Sequence, residues 1–251
     1  MALTVPARQP LSARPGRTAG PGIHLALLRG FELRCDGCAV PLVLSAQRLV
    51  AFLALHERLL PRTYVAETLW TDVPDRRAWG NLRSTLWRLG RLREQVVEQV
   101  TDHIQLAPDV VVDVREGTRV AARLMAGDHV SPLSVDHRTF EGELLPAWCD
   151  EWILTERERH RQLSLHALEL LCEHLATEGQ YGLAVQAGLA AIEAEPLRES
   201  AHRALIGAHL AEGNVNEAIR QYELFDHLIR DELDLRPSDQ LRDLISALRG
   251  A

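Results

Sequence analysis

Apolar and polar positions in the first third of the chain predict a small domain of strands and helices. Short β-type runs occur between residues 23 and 44, and they are broken at Arg29-Gly30 and at Asp36-Gly37. They predict a small antiparallel sheet. Three amphipathic stretches follow, and the third begins at Pro74-Asp75 and runs to about Glu94.

The residues around these stretches predict the helix starts and a second hairpin. Ser45 is placed to cap the first helix and Thr63 the second. The runs VVEQV and HIQLA, joined at Thr101-Asp102, predict a β hairpin. Strands, three helices and a hairpin are the order of a winged helix-turn-helix with an added N-terminal sheet. Asp102 near the hairpin tip would repel phosphate, so either this wing contributes little to DNA binding or the hairpin is misplaced.

The third predicted helix has two different sides. Its apolar stripe is expected to contain Trp79, Leu82, Leu86 and Leu89. Its polar side consists of Arg77, Asn81, Arg83, Ser84, Arg88 and Arg91. The arginines supply forked guanidinium donors for phosphate and guanine, the asparagine amide can pair with adenine, and the serine is small. A solvated basic helix has the same pattern, but a position directly before a hairpin favours DNA reading. Trp87 is expected to pack against a neighbouring element.

The second half of the chain is predicted to be helical. Asp113 and Glu116 have capping-box spacing, and Gly127 can end the helix that follows. Residues 127–139 are expected to form a connector, and helices dominate from Trp148 onward. Two pairs recur 34 residues apart, the period of a tetratricopeptide unit: Glu178-Gly179 with Glu212-Gly213, and Ala184 with Ala218.

Charge divides the chain in the same way. Residues 1–95 hold 14 Arg against 7 acidic residues, whereas residues 96–251 hold 14 Arg against 28. This asymmetry favours a polyanionic partner for the N-terminal half. Residues 1–22 are rich in Pro, Gly, Ala and Arg and predict a disordered arm. With neither a signal peptide nor a membrane-spanning run, the chain is expected to be cytoplasmic and to have no membrane partner.

The cysteines and the motifs do not favour catalysis. Cys35 and Cys38 form a CxxC, but no second pair at zinc spacing accompanies it, and Asp36-Gly37 between them predicts a type I′ turn. The histidines form no ligand cluster, and phosphate loops, nucleophile elbows and zinc-protease motifs are missing from the sequence. We therefore expect a protein that is not an enzyme and has no catalytic residue, metal or cofactor.

Longer segments resemble one family. SAQRLVAFLALHERLLPRTYVAETLW and NLRSTLWRLGRL resemble the winged DNA-binding domain of the SARP-type bacterial transcriptional regulators, which is similar to OmpR-type effector domains. LLPAWCDEWILTERERHRQL and EPLRESAHRALIGAHLAEGNVNEAIRQYELFDHLIRDELDLRPS resemble their bacterial transcriptional activator domain. The resemblance covers about residues 23–248. This chain departs from the family at Asp234, where Gly is usual, and near Gly117, where an aromatic residue is usual.

The resemblance implies a mainly α protein in the short two-domain form. We expect a winged helix-turn-helix with small antiparallel β elements over residues 23–110 and a tetratricopeptide-like helical domain over residues 111–251. It implies an activator that binds promoter direct repeats in double-stranded DNA as head-to-tail pairs, associates with itself there and recruits RNA polymerase. The alternative is a helical-repeat scaffold or effector-binding protein whose N-terminal domain is only an interaction module.

Residue roles follow from the predicted helix. Asn81, Arg83 and Arg88 are expected to read base edges, with Ser84 allowing close approach to the groove. Arg76, Arg77 and Arg91 are expected to hold phosphates. The acidic second domain would repel phosphate, so we expect it to turn away from the DNA.

Overall fold

Helices form most of the structure, and the strands are confined to its N-terminal half. The computed structural model describes residues 22–127 and 135–249. The predicted arm, apart from Gly22, and the middle of the predicted connector therefore lie outside the described residues. The strands are β1 (Ile23–Ala26), β2 (Glu32–Cys35), β3 (Cys38–Ala39), β4 (Leu60–Pro61), β5 (Val97–Val100), β6 (His103–Leu106) and β7 (Val111–Val112). The helices are α1 (Leu44–Leu55), α2 (Arg62–Leu69), α3 (Asp75–Arg88), α4 (Arg93–Val96), α5 (Asp113–Met125), α6 (Glu151–Thr177), α7 (Tyr181–Ala194), α8 (Glu199–Glu212), α9 (Val215–Leu233) and α10 (Asp239–Arg249).

The N-terminal sheet has the order β3-β2-β1-β7. The antiparallel pairing of β1 with β2 and of β2 with β3 confirms the predicted strands. Asp36 and Gly37 both have positive φ, 48° and 80°, as a type I′ turn requires. The parallel pairing of β7 with β1 was not predicted from the pattern, because a two-residue strand has too little periodicity to be recognised.

The two helix caps predicted at Ser45 and Thr63 are wrong. Helix α1 begins at Leu44, after Val43, two residues before the start that a cap at Ser45 implies, and α2 begins directly after Pro61. The Gln47 amide donates to the Leu42 carbonyl at 2.8 Å and closes the first turn of α1 without a hydroxyl cap. Ser45 and Thr63 consequently lie inside their helices.

The predicted wing is present. Strands β5 and β6 pair antiparallel, with Val100 opposite His103 and with Thr101 and Asp102 at the tip. Strand β4 pairs with the other edge of β6 and makes a three-stranded sheet of order β4-β6-β5. The order α1, α2, α3 and then hairpin is that of a winged helix-turn-helix.

Helices α6 to α9 confirm the 34-residue repeat. Gly179 and Gly213 end α6 and α8 with φ of 72° and 89°, a left-handed conformation that glycine adopts without strain. Ala184 and Ala218, each the fourth residue of its helix, α7 and α9, are fully buried where helices meet. The chain is thus mainly α, with small β elements in its N-terminal half and a tetratricopeptide-like helical region after it.

The capping box predicted at Asp113 is replaced by a longer-range contact. The Asp113 carboxylate accepts the backbone N–H groups of Leu27 and Leu28 at 3.0 Å and that of Val114 at 2.7 Å. It therefore links the start of α5 to the end of β1. At the other end of α5, Gly127 has φ of 72° and donates to the Leu124 carbonyl, as predicted.

Candidate nucleic-acid interface

Helix α3 ends sooner than the sequence pattern predicts. It begins after Pro74 and ends at Arg88, because Gly90 follows with a left-handed φ of 56°. A 3₁₀ turn, Gly90–Leu92, and the short α4 cover the rest of the predicted helix. Arg91, predicted on the helix, therefore lies in the 3₁₀ turn.

The buried side of α3 fixes the orientation of the helix. Leu82, Leu86 and Leu89 pack into the core with exposures of 2 to 3%, as predicted. Trp79 was assigned to this stripe wrongly, since the residue is 49% exposed. Ala78 and Thr85 take its place, both buried, and their small size lets α3 approach the other helices closely.

The opposite side of α3 and the turn after it carry what we call the arginine face, defined as Arg76, Arg77, Asn81, Arg83, Ser84, Arg88 and Arg91. Asn81 is half-buried and the others are exposed. At roughly 100° per residue, Arg83 and Arg88 lie about 140° apart on either side of Ser84. A Cβ built on Gly80, one turn before Ser84, would meet nothing within 4 Å. Small residues thus lie at the middle of the face and guanidinium groups at its flanks.

The guanidinium groups of the arginine face are uncompensated. Within residues 22–127 and 135–249, none of its five arginines forms an ion pair or a side-chain hydrogen bond. On α6, by contrast, Arg157, Arg159 and Arg161 each pair with a glutamate. The arginine face therefore presents positive charge to solvent without internal neutralisation, which is the condition for attracting a polyanion.

Arg93, the remaining arginine of this segment, has a structural role. Its guanidinium donates to the Gln99 amide oxygen on β5. This bond connects the end of the helical segment to the wing and fixes the position of the wing relative to α3.

Trp87 contradicts the expectation that it packs against a neighbouring element. It is 80% exposed, the highest value among the large apolar side chains of the described residues. At roughly 100° per residue it projects from the same outer side of α3 as Gly80 and Ser84.

The wing tip carries negative charge. The Asp102 carboxylate lies 2.7 Å from Nδ1 of His103 and is exposed. The hydrogen bond from His103 lowers the pKa of Asp102 below its ordinary value of 3.8, so the carboxylate is ionised at neutral pH. An ionised carboxylate repels phosphate, which agrees with the expectation that the wing contributes little.

Several side chains fix α1, which packs beside α3, to the helical region. The Trp152 ring of α6 meets Phe52 of α1 edge-on, with ring centroids 5.2 Å apart. Arg48 of α1 pairs with Asp150 just before α6, and Arg115 of α5 donates to the Ala54 carbonyl at 3.1 Å. Trp152 lies in a segment that resembles activator domains, but only the three-dimensional structure shows its partner in the winged domain.

The four cysteines are free thiols in different environments. Cys35 and Cys38 face each other across the β2–β3 turn as free thiols. Burial raises the pKa of Cys172 to about 12, which keeps that thiol protonated. Among the described residues, no group of three or more His, Cys, Asp or Glu side chains could hold a metal ion. The helices of the same residues include none with the length and apolarity that crossing a membrane requires.

Comparison with known families identifies the helical region. The family model of the bacterial transcriptional activator domain matches residues 113–249, which is more than half of the chain. The chain belongs to this family. The resemblance to SARP-type transcriptional regulators is thereby confirmed, and the protein is a transcriptional regulator of that type.

A solved structure shows the same fold. Mycobacterium tuberculosis EmbR, in complex with a low affinity phosphopeptide, matches with a TM-score of 0.70 and 21% sequence identity over 91% of this chain. This chain spans only 65% of the length of EmbR, so part of EmbR has no counterpart in it. A search of curated proteins found no match.

Proposed function

We propose that this regulator binds double-stranded DNA sequence-specifically by placing the arginine face of α3 in the major groove. The observation that carries this proposal is the set of five uncompensated guanidinium groups around Gly80 and Ser84. The small residues let the helix backbone approach the groove, and the arginines can reach base edges and phosphates on both sides.

The roles within the face follow from distance along the helix. Asn81, Arg83 and Arg88 lie between the first turn of α3 and its end and are assigned to base edges. Arg76 and Arg77, in the first turn, and Arg91, in the 3₁₀ turn beyond α3, are assigned to phosphates. The helical region carries most of the acidic residues, so we assign it to contacts away from the DNA.

The regulatory step is proposed from the family. We propose that the protein is a cytoplasmic, non-enzymatic activator that binds promoter direct repeats as head-to-tail pairs and recruits RNA polymerase. The helical region is the proposed contact for self-association and polymerase. Footprinting that mapped residues beyond 140 onto the DNA backbone would contradict this division of roles.

Site selection from random DNA, followed by gel shift at fixed salt, tests the groove assignment. Arg83→Ala and Arg88→Ala should each cost roughly 1 to 3 kcal/mol on the selected site, about 5- to 150-fold in Kd. Arg77→Ala should weaken selected and unrelated sequences alike. Arg220→Ala removes an exposed arginine of the helical region, with 71% side-chain exposure, and serves as the matched control. Unchanged binding by both Arg83→Ala and Arg88→Ala would refute the assignment.

A second function is favoured by a cavity in the helical region. A volume of about 510 Å³ lies between α6, α7 and residues 140–144, with both charged and apolar walls. It supports an effector-binding or scaffold role, in which the N-terminal domain is an interaction module. Absence of salt-dependent DNA affinity, together with recovery of a helical or peptide partner, would favour this alternative.

A further inference from the structure

Trp87 is an unusual residue to leave in solvent. Single exposed apolar residues are common, but tryptophan is on average highly buried, because its large apolar ring gains from leaving water. Trp87 is 80% exposed, whereas Trp148 and Trp152 pack against the core of the winged domain. Its exposure is therefore a property that requires a partner to explain it.

The surroundings of Trp87 limit what that partner can be. Arg83 lies one turn before it on the same side of α3, and Arg88 is its neighbour in sequence. Arg91 follows one turn later, in the 3₁₀ turn. A protein partner with an apolar surface would have to desolvate these guanidinium groups without neutralising them, which is unfavourable. A polyanion neutralises them, so charge complementarity selects nucleic acid as the occupant of this surface.

The major groove offers few apolar features for an indole ring. The C5-methyl group of thymine is the apolar group that projects into it, and the other groups presented there are mainly hydrogen-bond donors and acceptors. Trp87 lies on the same outer side as Gly80 and Ser84, where the helix backbone can come closest to the groove floor. Its ring is thus placed beside the base edges instead of toward the protein core.

We propose that Trp87 contacts the C5-methyl group of a thymine in the operator and makes that position specific for thymine. The inference rests on the proposed function, since it needs α3 in the major groove. It adds an apolar contact to a face whose other members act through hydrogen bonds and charge. The operator position is read by shape and apolar contact, so neither Arg83 nor Arg88 can substitute for the ring.

Removing the methyl group and the ring separately and together tests the contact. The full chain first selects its site from random DNA. Each thymine of that site is then replaced in turn by deoxyuridine, and Kd is measured for the wild type, Trp87→Ala, Trp87→Phe and Trp79→Ala. At about 0.8 kcal/mol per buried methyl, one deoxyuridine should weaken wild-type binding about fourfold. Trp87→Ala should weaken binding to the thymine site roughly tenfold and be insensitive to that deoxyuridine.

The other two variants are controls. Trp87→Phe keeps an apolar aromatic ring and should retain most of the affinity and the sensitivity to deoxyuridine. Trp79→Ala removes the other partly exposed tryptophan of α3 and should keep wild-type sensitivity. Because the Trp87 side chain lies in solvent, its replacement should leave the far-UV circular dichroism and the Tm unchanged. Wild-type tryptophan emission should change on binding the site, and Trp87→Phe should lose most of that change.

The outcomes separate this inference from the proposed function. If the wild type shows no sequence preference for DNA, the proposed function fails, and the inference fails with it. If the wild type selects a site but Trp87→Ala binds it equally well, or keeps the wild-type response to every deoxyuridine, only the Trp87 inference is overturned. Loss of affinity confined to paired sites, with single sites unaffected, would also overturn it and would assign Trp87 to contact between protomers.

Discussion

Replacement of Trp152 by alanine should destabilise the winged domain, although Trp152 lies in the helical region of the chain. Trp152 is the second residue of α6, within the helical region, but its ring contacts Phe52 of α1 and Trp148, with centroid distances of 5.2 and 6.3 Å. Both contacts are nearly perpendicular, at 87° and 83°, which is a favourable aromatic geometry. Trp152→Ala therefore removes packing from the core of the winged domain.

The size of the effect follows from two opposing terms. Truncating a packed tryptophan costs roughly 3 to 5 kcal/mol, including the cavity that remains. The Trp152 indole nitrogen is buried and has no hydrogen-bond partner among the described residues, so its removal recovers roughly 1 to 3 kcal/mol. We expect a net loss of about 2 kcal/mol in the free energy of unfolding. Trp152→Phe should cost less, because it keeps a ring and removes the unpaired nitrogen.

Urea denaturation, which gives the free energy of unfolding, and amide hydrogen exchange test this prediction. In Trp152→Ala the amides of α1 from Val50 to Ala54 should exchange faster than in the wild type, because their opening free energy falls. Leu154→Ala, on the same helix but 50% exposed, is the matched control and should change stability by less than about 0.5 kcal/mol. If the α1 amides kept wild-type exchange in Trp152→Ala, the inter-domain packing argument would be refuted.

Two further predictions concern the helical region. Burial lowers the pKa of His202, whose Nδ1 accepts a hydrogen bond from the Gln221 amide at 2.8 Å. The contribution of His202 to the free energy of unfolding should therefore be fully present above the ordinary pKa of 6.5 and decrease as the pH drops below it, because the unfolded chain binds a proton more readily than the folded chain. In His202→Gln the Tm should fall less steeply than in the wild type between about pH 7 and 5. Equal slopes in the two proteins would contradict this prediction. Asp234 ends α9 with a left-handed φ of 54°, so Asp234→Gly should raise stability by roughly 0.5 to 1 kcal/mol, measured by urea denaturation. Gly213→Ala, at φ of 89°, should have the opposite effect, and a Tm shift of the same sign in both variants would argue against strain as the cause.

Periodicity predicted the elements well where one side of an element is buried. The apolar spacing of Leu82, Leu86 and Leu89 placed the buried side of α3, and the 34-residue repeat placed Ala184 and Ala218 at helix contacts. The same reasoning placed Trp79 wrongly, because it counted a large apolar residue as core when the smaller Ala78 fills that position. Size is therefore a poor guide where two helices approach closely.

Contacts between distant segments could not be predicted from local pattern. Asp113 has the spacing of a capping box, yet its carboxylate binds backbone groups 85 and 86 residues earlier in the chain. Gly117, where the family usually has an aromatic residue, is covered by Thr139 and Phe140, and a Cβ on it would lie 3.8 Å from the Phe140 ring. Here a side chain from another segment occupies the space, which no reading of residue 117 alone could show.

The residues of the candidate site were predicted, but not their individual environments. The sequence pattern identified the exposed arginines of α3, since charge opposite an apolar stripe is a strong local signal. It wrongly extended the helix to Arg91. Glycine adopts both helical and left-handed conformations, so the sequence alone did not show that Gly90 is left-handed and ends the helix. Trp87 is exposed because no neighbouring element among the described residues covers it, and this could be seen only in the three-dimensional structure.

The ionised carboxylate at the wing tip has a consequence for how binding responds to salt. Each phosphate that a protein neutralises releases condensed counterions, and the logarithm of the binding constant falls with the logarithm of salt concentration by about 0.9 per phosphate. Because Asp102 keeps the tip from adding phosphate contacts, one protomer has the three phosphate contacts proposed for Arg76, Arg77 and Arg91, which gives a slope of about −3. Two protomers on a direct repeat would double it. A titration in salt therefore counts protomers on the promoter without any knowledge of the operator sequence.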